Sequence, residues 1–292
     1  MKKKKKKIIP VSVVIPTLGY DHLKKCIYKI SVSSCLPKEV LIIVPEDNYN
    51  KVKNYFTNYK NLKIRVLLSK IKNQVLQRIK GFKNSKKDIV VQMDDDILLK
   101  KDCLIKLFNQ ITSYNENVAI APKYLSNIKL SSIYKKPKNR FLKIYHWLIN
   151  SNSGFKPGSI SLSGFNYSDE TGKKGIREQE WLSGGLIIHK KKNLILNNYY
   201  PYNFKKSYCE DILHSLLLRK KKVKLLKYYE TSVKEISQGN IVNQKFVKTF
   251  QSFFAELLIR FYIVSKFNLS KTRFIIYYFI FFLRIMVKKF KS

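Results

Sequence analysis

Asp94, Asp95 and Asp96 stand together at the end of the apolar run Ile89-Val90-Val91-Gln92-Met93, in a chain whose charge is otherwise overwhelmingly positive. Three carboxylates crowded at a strand end repel one another and need a cation. If strand geometry continues past Met93, Asp94 and Asp96 share one face, and both reach a hard divalent ion through oxygen. A second acidic pair, Glu210-Asp211, opens an apolar helical stretch much later in the chain. Together the two clusters point to a metal-bound phosphate site with a separate carboxylate base. The competing reading of the triplet is an N-cap cluster ahead of the helix near Asp102, which mutual repulsion disfavours.

For these acids to meet, strands must bring them to one edge. Val11-Ser12-Val13-Val14-Ile15 is a short β-branched run suited to a parallel strand covered on both faces, and Pro16-Thr17-Leu18-Gly19 ends it. Apolar residues at helical spacing (Leu23, Cys26, Ile27, Ile30) predict a helix over about residues 21–33. Val40 to Val44 predicts a second buried strand, stopped by Pro45. A weaker strand over 63–67, a polar helix over 74–82 and a strand over 88–93 carry the alternation up to the triplet. Such βαβ units predict an α/β fold with a mainly parallel, Rossmann-like sheet flanked by helices. Ligands of such a sheet gather at the carboxyl ends of the strands, where Pro16, Glu46-Asp47 and the triplet all fall.

A helix over about 102–114 and a strand over 118–121 come next. Periodicity then weakens between residues 125 and 180, the place for a variable, substrate-facing insertion. Trp181-Leu182-Ser183-Gly184-Gly185-Leu186-Ile187-Ile188 restores an ordered turn and strand. Ser207-Tyr208-Cys209-Glu210 has capping-box spacing, which predicts a helix from Asp211 to about Arg219 with Ser207 and Glu210 as reciprocal caps.

With 292 residues, 45% of them hydrophobic, the chain can bury a real core. Its formal charge of +39 comes mostly from Lys, with only eight Arg, amid many Ile, Asn, Tyr and Phe. That mixture reads as a codon bias expressed as solvated lysine faces, or as a pull toward anionic lipid; no specific nucleic-acid partner is expected. Cys26, Cys35, Cys103 and Cys209 have neither C-x-x-C nor zinc-ligand spacing, so buried free thiols are expected. Lys2 to Lys7 resembles the start of a signal peptide, but Pro10 and Pro16 break the apolar stretch that follows. Residues 1–7 therefore read as a disordered basic tail.

The C-terminal part differs from the rest. Phe250 to Val264 is aromatic and aliphatic, and the apolar run Phe274 to Leu283 is well short of a bilayer span of roughly 20 residues. Lys266, Lys271, Arg273, Lys288, Lys289 and Lys291 flank it. A pair of amphipathic helices lying in an anionic membrane interface fits this pattern; so does a hairpin that packs on the domain or on a second copy of the chain to make a homodimer. The organisation expected is a catalytic domain over 8–240, with a nucleotide-binding half (8–122) and an acceptor-binding half (123–240), then a helical segment over 241–292.

Val13-Val14-Ile15-Pro16-Thr17, Pro45-Glu46-Asp47-Asn48, Gln77-Arg78, Asp94-Asp95-Asp96, Trp181-Leu182-Ser183-Gly184-Gly185 and Glu210-Asp211 occur in an order and spacing that resemble family 2 glycosyltransferases of the GT-A fold. The resemblance covers about residues 8 to 230 and rests on ordered co-occurrence rather than on any one motif. It implies transfer of a sugar from a UDP- or GDP-linked donor, with inversion, to a glycan or lipid-linked acceptor, such as a cell-surface polysaccharide. The work would be done peripherally on the inner face of the cell membrane. Mn2+ or Mg2+ is implied on the donor diphosphate, held by Asp96, with Asp94 on ribose or metal and Asp95 in support.

Asp211 is implied as the general base; its alternative is a carboxylate that favours the first helical turn. Pro16, Thr17, Glu46 and Asp47 fall at the nucleotide, although Pro45 displaces the usual paired acids. Arg78 faces the base or phosphates, or is a surface helix residue. Gly184 and Gly185 admit the donor sugar, Trp181 stacks on a sugar or anchors the core, and Glu210 serves the acceptor side or only caps the helix. Some relatives supply a late histidine to the metal; here His22, His146, His189 and His214 all precede the end of the Asp211 helix. His214 reads as a helix-surface residue or a support behind the site. Two other readings compete: a nucleotidyltransferase, for which Pro16-Thr17-Leu18-Gly19 offers no phosphate loop, and a non-catalytic polyanion or membrane binder on a degenerate transferase fold.

Overall fold

The computed structural model describes residues 6–19, 21–56, 59, 61–125, 139–151, 156–169, 174–204, 207–236 and 246–290. It divides into two compact units, Met1–Asn127 with Gly172–Ser237, and Ile128–Thr171 with Gln238–Ser292. The first unit opens with β1 (Lys7–Pro16), α1 (His22–Ser31), β2 (Cys35–Pro45), α2 (Glu46–Phe56), β3 (Ile64–Ser69), α3 (Gln74–Asn84) and β4 (Ile89–Met93). It continues with β5 (Ile97–Leu99), α4 (Cys103–Thr112) and β6 (Val118–Tyr124). The second unit contributes α5 (Arg140–Asn150), after which the first resumes with β7 (Ile176–Gln179), β8 (Leu186–Lys190), α6 (Glu210–Lys220) and β9 (Lys224–Glu235). The chain closes in the second unit with α7 (Phe246–Lys266) and α8 (Lys271–Phe290).

The sheet runs β3-β2-β1-β4-β8-β6-β9-β5, with β7 on β9. Its first four strands are parallel, as the βα alternation requires. β8 then enters antiparallel between β4 and β6. Alternate residues of β1 feed opposite layers. Val11, Val13 and Ile15 pack with Leu23, Ile27 and Ile30 of α1, while Val14 joins Leu41, Ile43 and Phe82 on the α3 side. This double coverage explains why β1 and β2 are apolar on both faces. α3 comes unusually close because it carries Gly81 there: a Cβ at that position would lie 2.2 Å from Val14 Cγ1 and 2.7 Å from Ile43 Cδ1.

The expected tail lies outside the described residues up to residue 5, and Lys7 already pairs with Cys35 at the start of β1. Strand geometry does not continue through the aspartates, contrary to the simplest expectation. β4 stops at Met93 and the triplet turns, with the Ile97 amide donating to the Asp94 carbonyl (3.4 Å). The reason lies in what holds its two ends. The Asp94 amide donates to the Gly185 carbonyl beside β8 (2.8 Å), and the Ile236 amide to the Asp96 carbonyl beyond β9 (3.0 Å). β5 follows at once and pairs with β9, Ile97 opposite Glu235. The triplet therefore bridges two places in the sheet, its backbone tied at both. β9 escapes periodicity because Lys224, Lys227 and Lys234 interrupt its apolar run, although Lys227 is buried.

In the second unit α7 and α8 form an antiparallel hairpin. Phe250 meets Phe282, Phe253 meets Tyr278 and Phe281, and Phe261 meets Phe274. Arg273 of α8 donates to the Trp147 and Leu148 carbonyls (2.5 and 2.6 Å), satisfying the open end of α5.

Candidate active site

The register of β1 on β4, Val14 opposite Gln92, places Pro16-Thr17 beside the triplet. The Thr17 amide donates to the Ile43 carbonyl (3.0 Å), and its hydroxyl donates to the Asp95 carboxylate. Gln77 of α3 fastens the same edge, its side-chain amide donating to the Thr17 and Ile43 carbonyls (2.9 and 2.8 Å). Burial pushes the Asp95 carboxyl up; the Thr17 bond opposes this, Asp96 and Asp94 add to it, and the result is about 6. Burial is the larger cause and the neighbouring carboxylates add to it, so the turn gathers oxygen ligands of the kind a hard divalent ion takes, although among the described residues no three His, Cys, Asp or Glu side chains form a group that could hold a metal.

Arg78 links the two acidic clusters. It is 2% exposed, and its guanidinium forks: Nη2 donates to Asp94 Oδ1 at 2.6 Å, and Nη1 donates to the Glu210 carboxylate. Burial works against the charge of Arg78, yet Asp94 and Glu210 outweigh it and hold the guanidinium above its ordinary value. A surface position for Arg78 is thereby excluded. Gln74 adds a bond to Asp94 Oδ1 (3.1 Å), and the Tyr199 hydroxyl donates to Glu210.

These long-range bonds overturn the capping box. Cys209, in left-handed geometry (φ 51°), is the N-cap of α6 and makes no side-chain cap bond, and among the described residues the buried Ser207 hydroxyl has no partner. A charge-assisted bond to a guanidinium is stronger than a bond to a neutral amide, so Arg78 takes the carboxylate that the spacing assigned to the helix start.

Asp211 follows on the first turn of α6, its Oδ1 accepting from the Ile212 amide (2.9 Å). Gly184 faces both acids: a Cβ there would lie 3.2 Å from Glu210 Oε2 and 3.4 Å from Asp211 Cβ. Space, not backbone twist, is what the glycine supplies. Its carbonyl accepts from Gln92 Nε2 (2.7 Å), and the Leu182 amide donates to the Ser215 hydroxyl (3.0 Å), which binds the loop to α6. Gly185 lies against Tyr124 and Ile97, and Trp181 is half-buried. Glu46 and Asp47 are exposed on the first turn of α2, where Asp47 pairs with Lys72. Sequence reasoning did not single out Gln74, Gln92 or Tyr199. Gln92 carried a signal, a polar residue inside an apolar strand, whereas Tyr199 carried none.

His214 is not on the helix surface. It is 1% exposed, its ring stacks on Tyr199 (5.6 Å) and meets His189 edge-on (5.6 Å), and among the described residues neither imidazole has a hydrogen-bond partner. Burial, with a smaller push from Arg78, lowers His214 to about 3; burial, His214 and Arg78 lower His189. The unfolded chain takes up a proton near 6.5 that the folded chain refuses, so this contribution to stability is complete above about 6.5 and is lost as pH falls toward 3. Between pH 6.5 and 4.5 His214 alone is expected to cost roughly 2–3 kcal/mol of stability. Urea denaturation at the two pH values tests this: His214→Phe, which keeps a ring on Tyr199, should show a shallower decline by about that amount, and an unchanged decline would refute it.

The chain matches the model of glycosyl transferase family 2 over residues 12–172. No curated protein sequence matches it. Among solved structures it is similar to GalNAc-T7 in a crystal structure with UDP, GalNAc and Mn2+ (16% identity, TM-score 0.57, 84% of this chain and 48% of that one). It is also similar to S. aureus TarS 1-349 with UDP-GlcNAc (15%, 0.51, 86% and 67%). A third is the mannosyltransferase PcManGT from Pyrobaculum calidifontis with GDP-Man and Mn2+ (13%, 0.52, 84% and 64%). The chain thus spans about half to two thirds of the length of these structures, and at such identities the likeness is one of fold, that of GT-A glycosyltransferases.

Proposed function

Because the chain belongs to glycosyl transferase family 2, we propose that it moves a sugar from a UDP- or GDP-linked donor to a hydroxyl of a lipid-linked or cell-surface glycan, inverting the anomeric centre. The observation that carries this reading is the clamp of Arg78 on Asp94 and Glu210, which joins the acidic turn to the first turn of α6, where Asp211 stands. The UDP-GlcNAc and GDP-Man complexes of the similar structures support the donor class.

Asp211 takes the proton of the acceptor hydroxyl as it attacks from the side opposite the diphosphate. Gly184 leaves room for the donor sugar beside both acids, Trp181 offers a ring to a sugar face, and Pro16, Thr17, Glu46 and Asp47 receive the nucleoside. Asp96 and Asp94 would hold Mn2+ or Mg2+, which when bound offsets the charge of the leaving diphosphate. Among the described residues no three His, Cys, Asp or Glu side chains converge on one point. Diphosphate and water would complete the ion's coordination. An acceptor borne on lipid places the enzyme at the inner face of the cell membrane.

Calorimetry with UDP and GDP, with and without Mn2+, tests the donor site. One nucleotide is expected to bind the intact chain at least tenfold more tightly with the metal, a gain lost in Asp96→Ala. Absence of binding under every condition would overturn the reading in favour of a non-catalytic polyanion binder.

A further inference from the structure

Surface helices normally turn a polar face outward, whereas the hairpin of the second unit carries apolar rows on its outward side as well as on its buried one. The buried face of α8 carries Phe274, Tyr277, Tyr278 and Ile285. Its exposed row is Ile275, Phe279, Leu283 and Val287, spaced four apart and 45–62% exposed. α7 repeats the pattern with Phe254, Leu258 and Phe261, 43–53% exposed. On α5 of the same unit Phe141 and Trp147 are exposed at 80% and 52%. Rows of this size in contact with water need a covering surface.

Charge decides among the candidates. α5 and α8 contain no acidic residue and α7 contains only Glu256, which is paired with Arg260. Basic residues stand at the helix ends: Lys266 closes α7, Lys271 and Arg273 open α8, and Lys288 and Lys289 lie in its last turn. Arg273 lies over the Trp147 ring, Arg284 over Tyr145 and Lys266 over Tyr262, which pairs cations with amphipathic rings as a lipid headgroup layer favours. A second copy would bring the same uncompensated positive charge against itself. A crossing hairpin does not fit the pattern: among the described residues no helix is long and apolar enough to span a membrane. The ten residues Phe274 to Leu283 rise only about 15 Å against a hydrocarbon core of roughly 30 Å.

We propose that the outward rows of α7 and α8 form a docking surface for an anionic lipid bilayer, in whose interface the hairpin lies flat. The inference rests on the lipid-borne acceptor of the proposed function, and its test separates the two, since nucleotide binding reads the donor site and vesicle binding reads the hairpin. The full chain is floated with phosphatidylcholine vesicles containing about one third phosphatidylglycerol and with pure phosphatidylcholine vesicles, alongside Phe279→Ser/Leu283→Ser. Nucleotide calorimetry and light scattering are run on each protein. The expected result is at least tenfold stronger partition on the anionic vesicles, a drop of about tenfold or more in the double variant, and unchanged nucleotide binding. Equal flotation of the double variant would show that lysine charge alone suffices and would overturn the surface. So would a wild-type dimer that dissociates in the double variant while neither protein floats, the result for a hairpin covered by a second copy.

Discussion

Replacing Asp211 by asparagine is expected to lower kcat by about 100- to 10,000-fold while donor binding stays within about threefold. The substitution isolates the proton-accepting role. Asn keeps the volume of the side chain and an oxygen able to accept from the Ile212 amide, so the first turn of α6 retains its local bond. What disappears is a carboxylate near the helix N-terminus, worth about 0.3–1 kcal/mol of stability through the macrodipole, too little to unfold the chain. The measurement is steady-state transfer with the donor that calorimetry identifies, with nucleotide affinity determined on the same protein. A kcat within a few-fold of the wild type would remove Asp211 from the chemistry and leave it a helix-start carboxylate.

The second large effect concerns Arg78. Arg78→Met removes the one guanidinium between Asp94 and Glu210, leaving Glu210, whose side chain is 5% exposed, without its ion-pair partner. Breaking a buried pair from one side typically costs about 3–5 kcal/mol, more than the pair itself contributes, because the surviving charge is stranded in low dielectric. A loss in that range is expected from urea denaturation. Adding Glu210→Gln should recover part of it, since the amide needs no counter-charge, and nucleotide binding should remain weakened because Asp94 still lacks its fork. Arg78→Lys should fall between, as an ammonium cannot serve both carboxylates with the planar geometry of the fork. A loss below about 1 kcal/mol, or no recovery in the double variant, would mean that the carboxylates find other partners and that Arg78 does not couple the two acidic clusters.

The Asp211 prediction rests on a residue that the sequence marks at a helix start, the Arg78 prediction on contacts across the chain, and that difference explains why some of the site is legible in the sequence and some is not. The βα alternation through β4 was legible because buried parallel strands are apolar on both faces and their flanking helices repeat at helical spacing. Their carboxyl ends then have to share one sheet edge, so the period of the chain alone puts Pro16, Glu46-Asp47 and the aspartates along it. β8 was legible as a strand after a Gly-Gly turn, but its antiparallel entry beside β4 was not, since strand direction leaves no periodic mark. α2 and β9 were obscured by lysine, asparagine and tyrosine on half-buried faces, which blur the period on which recognition depends. The hairpin segments were visible as apolar runs with basic flanks; that their outward rows are the apolar ones required the packing of α7 on α8.

The sequence by itself determined the order of the elements and the acids at their ends, because local period and turn residues act over a few positions and need no partner. Only the tertiary structure decided what those acids do to one another. Ser207-x-x-Glu210 carries every local sign of a capping box, yet Arg78, 132 residues earlier, claims the Glu210 carboxylate. His214, which the sequence leaves as either a helix-surface residue or a support behind the site, is buried against Tyr199 and His189. In each case a strong or bulky partner distant in sequence outcompetes a weak local one, and a chain read in order cannot reveal which residue folding will place there.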